Sequence, residues 1–139
     1  ATDPLLQVYE SELAHFSRSN YPQINFEKRG LESIEWRDEF DWIFCLNVIN
    51  HVEDIQQSIS LLAKALKTSS TMVLSIDAHN FKLPKYLFRM LPLDILHPHQ
   101  YDLNEYVSLA ENAGLICKKS VLIKSAFLFD YYALVLEKP

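Results

Sequence analysis

Only two glycines, Gly30 and Gly114, occur among the 139 residues, so no glycine-rich loop that cradles a phosphate or nucleotide lies within the chain. Cysteine is equally sparse. Cys45 and Cys117 form no Cys-x-x-Cys pair, and each sits in an apolar, strand-like segment; that pattern argues against a disulfide or a zinc site and predicts reduced, buried thiols. No apolar run approaches the roughly 20 residues needed to cross a bilayer, and the N-terminus lacks the basic, apolar, small-residue order of a secretory signal. A cytoplasmic protein with no membrane partner is expected. Lysine and arginine number 13 against 18 acidic residues, for a net charge of −5, and the basic residues are scattered apart from Lys118-Lys119. Such a surface carries no footprint for a phosphate backbone and predicts no nucleic-acid partner.

What is present is ordinary for a packed protein: 49% apolar and 22% charged residues, in a length that suits one domain over 1–139. The most informative stretch runs from Phe40 to Val52. Trp42 to Leu46 is apolar without alternation and too short for a core helix, so it reads as a parallel strand buried on both faces. It stops abruptly at Asn47, Asn50 and His51. In open α/β sheets the carboxyl ends of such strands face the ligand crevice.

The flanking segments supply the rest of the fold. Asp3-Pro4 reads as a helix start, followed by Leu5, Tyr9, Leu13 and Phe16 on one face up to Ser19-Asn20. Ile24 to Lys28 alternates like a short strand. Asp54 stands three residues before Gln57 and opens a helix with Ile55, Ile59, Leu62, Ala63 and Leu66 on its apolar face. Thr71 to Ile76 follows as a second buried strand, which makes a βαβ unit with parallel strands. Residues 78–100 are irregular and carry Pro84, Pro92 and Pro98; connections of this length are usually lids or binding loops. There Tyr86, Phe88, Met90 and Tyr101 read either as the roof of a substrate pocket or as ordinary apolar packing. Asp102 and Glu105 open another helix, which Gly114 closes. Leu115 to Ile123 and Tyr131 to Glu137 read as strands joined too tightly for a crossover helix, hence an antiparallel hairpin.

Several local motifs occur in a specific order: Asp3, then Gly30-Leu31-Glu32, Phe40-Asp41, Asn47-Val48-Ile49-Asn50-His51-Val52, His97-Pro98-His99-Gln100-Tyr101-Asp102, Ala113-Gly114-Leu115 and the terminal hairpin. In this order the chain resembles the class I S-adenosylmethionine-dependent methyltransferases, in their small-molecule branch. The resemblance implies an α/β, Rossmann-like sheet, mostly parallel with a C-terminal antiparallel hairpin, and methyl transfer from S-adenosylmethionine to a small-molecule acceptor. In that family a first strand and a glycine-rich loop precede the acidic residue that Asp3 matches. The chain is therefore expected to be an N-terminally truncated, partial domain that does not bind the cofactor tightly by itself.

The resemblance also assigns residues. Asp3, with Pro4 beside it, would face the cofactor's ribose, and Gly30, Leu31 and Glu32 its adenine. The backbone of Cys45, Leu46 and Asn47 would lie near its amino group and sulfonium. His51, His97 or His99 would serve as general base where the acceptor is a hydroxyl. Each position has a plainer reading as well: Asp3 as a helix cap, Gly30 as a turn needing positive φ, Asn47 as a partner for loop backbone, His51 as a structural hydrogen-bonding residue. Some relatives carry Glu-x-x-Glu-His after the fourth strand, and certain of those bind a metal. Here Asn47-x-x-Asn50-His51 replaces both carboxylates by amides, so no metal is expected. A second reading, motivated by the missing glycine loop, is a degenerate, non-catalytic binding or assembly module that self-associates through exposed strand edges.

Overall fold

The structure, a computed structural model, describes residues 1–80, 101–127 and 129–139. The expected lid or binding loop, with Tyr86, Phe88, Met90, His97 and His99, lies outside the described residues. The chain divides into two compact units, Ala1–Glu35 and Trp36–Pro139.

In the first unit the segment expected as a strand at 24–28 is reduced to one parallel bridge between Thr2 and Glu27. Glu27 donates its N–H to the Ala1 carbonyl at 2.9 Å, and Asp3 donates to the Glu27 carbonyl at 3.2 Å. Helix α1 covers Leu6–Glu12, shorter than the spacing predicts at both ends. Its start shifts because the Asp3 carboxylate accepts the Leu5 N–H at 2.7 Å, a local turn that competes with the first helical turn. Its end shifts because Ser17, Ser19 and Asn20 favour turns, and Arg18–Asn20 forms a 3₁₀ turn instead. Phe16 therefore leaves the helical face. It packs with Tyr21 and Phe26 at ring-centroid distances of 6.3 and 6.0 Å, in the range of favourable aromatic pairs.

The second unit is a four-stranded sheet with helices inserted between strands. Strand β1 (Phe40–Cys45), helix α2 (Ile55–Ala65), strand β2 (Leu66–His79), helix α3 (Leu103–Asn112), and strands β3 (Ile116–Ser125) and β4 (Phe129–Lys138) follow in chain order. The spatial order is β1-β2-β4-β3. β1 pairs with β2 in parallel, while β4 is antiparallel to both of its neighbours. The predicted βαβ unit and terminal hairpin are both present, and the hairpin places its second strand inside the sheet.

Local chemistry sets the helix limits. Asp54 accepts the Gln57 N–H at 2.8 Å, and at α3 the capping box is complete, with Asp102 and Glu105 each accepting the other's backbone N–H. Gly114, at φ +83°, ends α3: its N–H bonds Glu111 and the Leu115 N–H bonds Ala110, the paired closing bonds of a Schellman motif. The core gathers Ile59 and Leu62 of α2, Tyr106 and Ala110 of α3, Met72, Leu74 and Ile76 of β2, and Leu134 and Leu136 of β4, all buried.

The expectation that β1 is covered on both faces does not hold. Trp42, Phe44 and Leu46, which alternate along one face, are 60%, 64% and 53% exposed, and the two rings stack at 6.1 Å. Among the described residues nothing packs over that face, and β1 is an outer strand of the sheet. Its other face is apolar and buried at Cys45. Burial pushes the Cys45 thiol up to about 12, while Cys117 is half-buried and its thiol is raised less decisively.

Three outcomes follow. Leu74→Ala removes a fully buried side chain and is expected to cost about 2–5 kcal/mol in urea denaturation. A thiol reagent at pH 8 should modify Cys117 well before Cys45, and both at once in denaturant. The raised thiol value also fixes a sign: Cys45 holds its proton more tightly when folded, so its contribution is intact below the ordinary value of 9.0 and is lost as the pH rises from there towards about 12. Cys45→Ala should flatten that alkaline decline.

Candidate functional site

In the first unit, the parallel bridge at Thr2 and Glu27 makes both chain segments leave in the same direction. Asp3-Pro4 and the residues leading to Gly30-Leu31-Glu32 therefore exit at one end. One Asp3 carboxylate oxygen accepts the Leu5 N–H, and Pro4 is exposed. Leu31–Ser33 forms a 3₁₀ turn, with Leu31 half-buried and Glu32 exposed. The Ser33 hydroxyl donates to the Gly30 carbonyl at 2.8 Å. Gly30 itself has φ −78°, so the turn needs no positive φ. A Cβ built there would meet nothing within 4 Å. Neither backbone conformation nor packing among the described residues requires glycine at this position.

In the second unit, β1 pairs with β2 only as far as Cys45 opposite Leu74. β2 continues to His79, held by β4 through Asp77–Tyr131 and His79–Phe129. Ser75 and Asp77 therefore project from one face of β2 beside the turn that leaves β1. Asn47 opens that turn at φ +57°, a left-handed conformation that asparagine tolerates better than most residues. Its N–H donates to the Ser75 hydroxyl at 2.7 Å. A 3₁₀ turn over Ile49–His51 follows, with Ile49 and Asn50 buried and His51 exposed.

Asn50 is the hub of this end of the sheet. Its amide nitrogen donates to the Asp77 carboxylate at 3.0 Å, and its carbonyl accepts from the Tyr106 hydroxyl at 3.0 Å. A carboxylate can only accept, which fixes the way the amide faces and makes Tyr106 the donor. Burial, with the Asp77 charge adding to it, raises the Tyr106 phenol above its ordinary value, so the donor keeps its proton. Tyr101 lies edge-on to Tyr106, with ring centroids 5.7 Å apart, and its carbonyl accepts the His79 N–H at 3.0 Å.

The structure thus collects Cys45, Leu46, Asn47 and His51 around one turn of the second unit, and Asp3, Pro4, Gly30, Leu31 and Glu32 at one end of the first. His97 and His99 lie outside the described residues. Sequence reading passed over Ser75 and the hydroxyl of Tyr106. The signal was available: Ser75 and Asp77 are polar at a spacing of two within Met72-Val73-Leu74-Ser75-Ile76-Asp77, hence on one face of an otherwise apolar strand. Among the described residues, no group of three or more His, Cys, Asp or Glu side chains could hold a metal ion. No helix among them is long and apolar enough to cross a membrane.

No protein-family model matches the chain. Over 75 residues it is 31% identical to the ubiquinone biosynthesis O-methyltransferase of Rickettsia bellii, an alignment covering 54% of this chain and 31% of that protein. Over 98 residues it is 36% identical to the tRNA U34 carboxymethyltransferase of Campylobacter concisus, covering 65% of this chain and 33% of that protein. The chain thus spans about a third of the length of these curated relatives. Among solved structures, it matches the 1,6-didemethyltoxoflavin-N1-methyltransferase of Burkholderia thailandensis, solved with its acceptor and S-adenosylhomocysteine bound. The TM-score is 0.66 at 10% identity, covering 99% of this chain and 60% of that one. The parallel β1-α2-β2 unit, the inserted antiparallel β4 and these likenesses agree: the chain carries the fold of the class I S-adenosylmethionine-dependent methyltransferases.

Proposed function

We propose that the chain forms part of an S-adenosylmethionine-dependent methyltransferase whose acceptor is a small molecule. The observation that carries the reading is the turn after β1: a left-handed Asn47 at the carboxyl end of a parallel strand, where open α/β sheets bind ligands. Two features fit the cofactor. Gly30 leaves open space where any other residue would put a side chain, as a close ligand approach demands. Leu46 and Asn47 are exposed where backbone carbonyls would meet an amino group. The acceptor class is supported by the net charge of −5 and the scattered basic residues.

S-adenosylmethionine, when bound, supplies a methyl group already activated on a sulfonium. The protein's part is then binding, alignment and exclusion of water. Asp3 offers a half-buried carboxylate, one oxygen of which is taken by Leu5, leaving the other for a ribose hydroxyl. Leu31 gives an apolar wall and Glu32 an acceptor for the adenine. The carbonyls of Cys45 and Leu46 and the side chain of Asn47 hold the amino-acid portion. His51 is exposed at the end of its turn and, like His97 and His99, would take a proton where the acceptor is a hydroxyl.

Calorimetric titration of S-adenosylhomocysteine, into the protein expressed with any residues its reading frame places before Ala1, tests the reading. Saturable binding is expected, and its absence overturns the proposal. Asp3→Ala should weaken binding by about 10- to 100-fold, the scale of a lost hydrogen bond to a charged group. Gly30→Val should weaken it while leaving stability near that of the parent. Labelled methyl transfer to a panel of small phenols, alcohols and amines is expected. Transfer to tRNA alone would replace the small-molecule acceptor by RNA.

A further inference from the structure

We infer that Ser75, Asp77 and Tyr106 are positioning residues that hold the 47–51 turn in its ligand-receiving shape, Ser75 gripping it at Asn47 and the other two at Asn50. The inference rests on the methyltransferase reading above, because it assigns the turn's carbonyls and Asn47 to the ligand.

The turn is gripped from three directions. Ser75 takes the Asn47 N–H at 2.7 Å, at the one residue of the turn with left-handed backbone. Asp77, two residues further on the same strand, takes the Asn50 amide at 3.0 Å. Tyr106, from α3, donates to the other end of that amide at 3.0 Å. Ser75, Asn50 and Tyr106 are all buried, at 2%, 5% and 0% exposure, so these bonds are shielded from competing water. Their effect is to hold Asn47, Leu46 and the carbonyl of Cys45 in place without touching the ligand.

This arrangement also accounts for an amide at position 50. A carboxylate there would lie within hydrogen-bond distance of Asp77, and two like charges at that separation oppose one another. It would also have no hydrogen to give. The asparagine instead donates towards Asp77 and accepts from Tyr106, using both ends. The pairing therefore requires one amide and one carboxylate, and it should work with the two exchanged, since a carboxylate at 50 can accept both from Tyr106 and from an amide at 77.

The test compares Asn50→Asp, Tyr106→Phe, and the exchanged pair Asn50→Asp with Asp77→Asn, each in the same protein used for calorimetry. S-adenosylhomocysteine affinity is expected to fall at least about tenfold in Asn50→Asp and Tyr106→Phe, and to recover to within about threefold of the parent in the exchanged pair. Amide hydrogen exchange over 47–51 should quicken in the two single variants and slow again in the exchanged pair. The β2–β4 ladder should stay protected throughout, which separates a loosened turn from general unfolding. A parent that binds, with Asn50→Asp binding equally well or the exchanged pair remaining as weak as the single variant, overturns the positioning role. A parent that does not bind overturns the methyltransferase reading and the ligand part of this inference with it. Unchanged exchange over 47–51 in Asn50→Asp overturns the grip itself.

Discussion

The unequal lengths of two paired strands govern this structure. β2 is paired with β4 from Ser70–Lys138 to His79–Phe129, whereas β1 accompanies it only to Leu74. A strand that outlasts its neighbour has backbone left unpaired on that side, where a turn can approach. Ser75 and Asp77 lie in that stretch, and their side chains bond Asn47 and Asn50 of the turn that leaves β1. The turn, the buried amide of Asn50 and the hydroxyl of Tyr106 all arrange themselves around that step in the sheet. Because β4 lies inside the sheet, the step is built on a fully hydrogen-bonded strand.

Much of this was legible in the sequence, for identifiable reasons. Asp54, Asp102, Glu105 and Gly114 mark helix ends through local hydrogen bonds that need no knowledge of the fold, and their helices lie close to where the spacing puts them, although Leu66, expected on the helical face of α2, is extended and opens β2. The hairpin followed from a connection too short to cross the sheet. The errors have one character: they concern segments whose state depends on a distant partner. Ile24 to Lys28 alternates like a strand, yet among the described residues it pairs only through the bridge of Glu27 to Thr2. Phe16 continues the periodicity of α1, but Tyr21 and Phe26 draw it into a separate aromatic cluster. Trp42 and Phe44 are as apolar as any buried strand residue, and their exposure depends on what lies beside β1. The site was legible as a location, through Asn47, Asn50 and His51. Its bonding was not, since which end of Asn50 meets Asp77 is decided by tertiary contact alone.

Glycine scarcity takes on a different meaning with the structure in view. One glycine, Gly114, is demanded by its backbone angle. The other, Gly30, is demanded by nothing among the described residues. Replacing a glycine at an ordinary, negative-φ position usually stabilises a protein by about 0.4–1 kcal/mol, by restricting the unfolded chain. The glycine at 30 thus forgoes stability that an alanine would supply, which is the pattern expected where open space serves a ligand.

The left-handed backbone of Asn47 limits how this chain can drift. Glycine, asparagine and aspartate occupy that conformation at little cost. Position 47 is therefore confined to a very small alphabet by backbone geometry, before any demand from chemistry is counted. Divergent copies of this chain should vary hardly at all at Asn47.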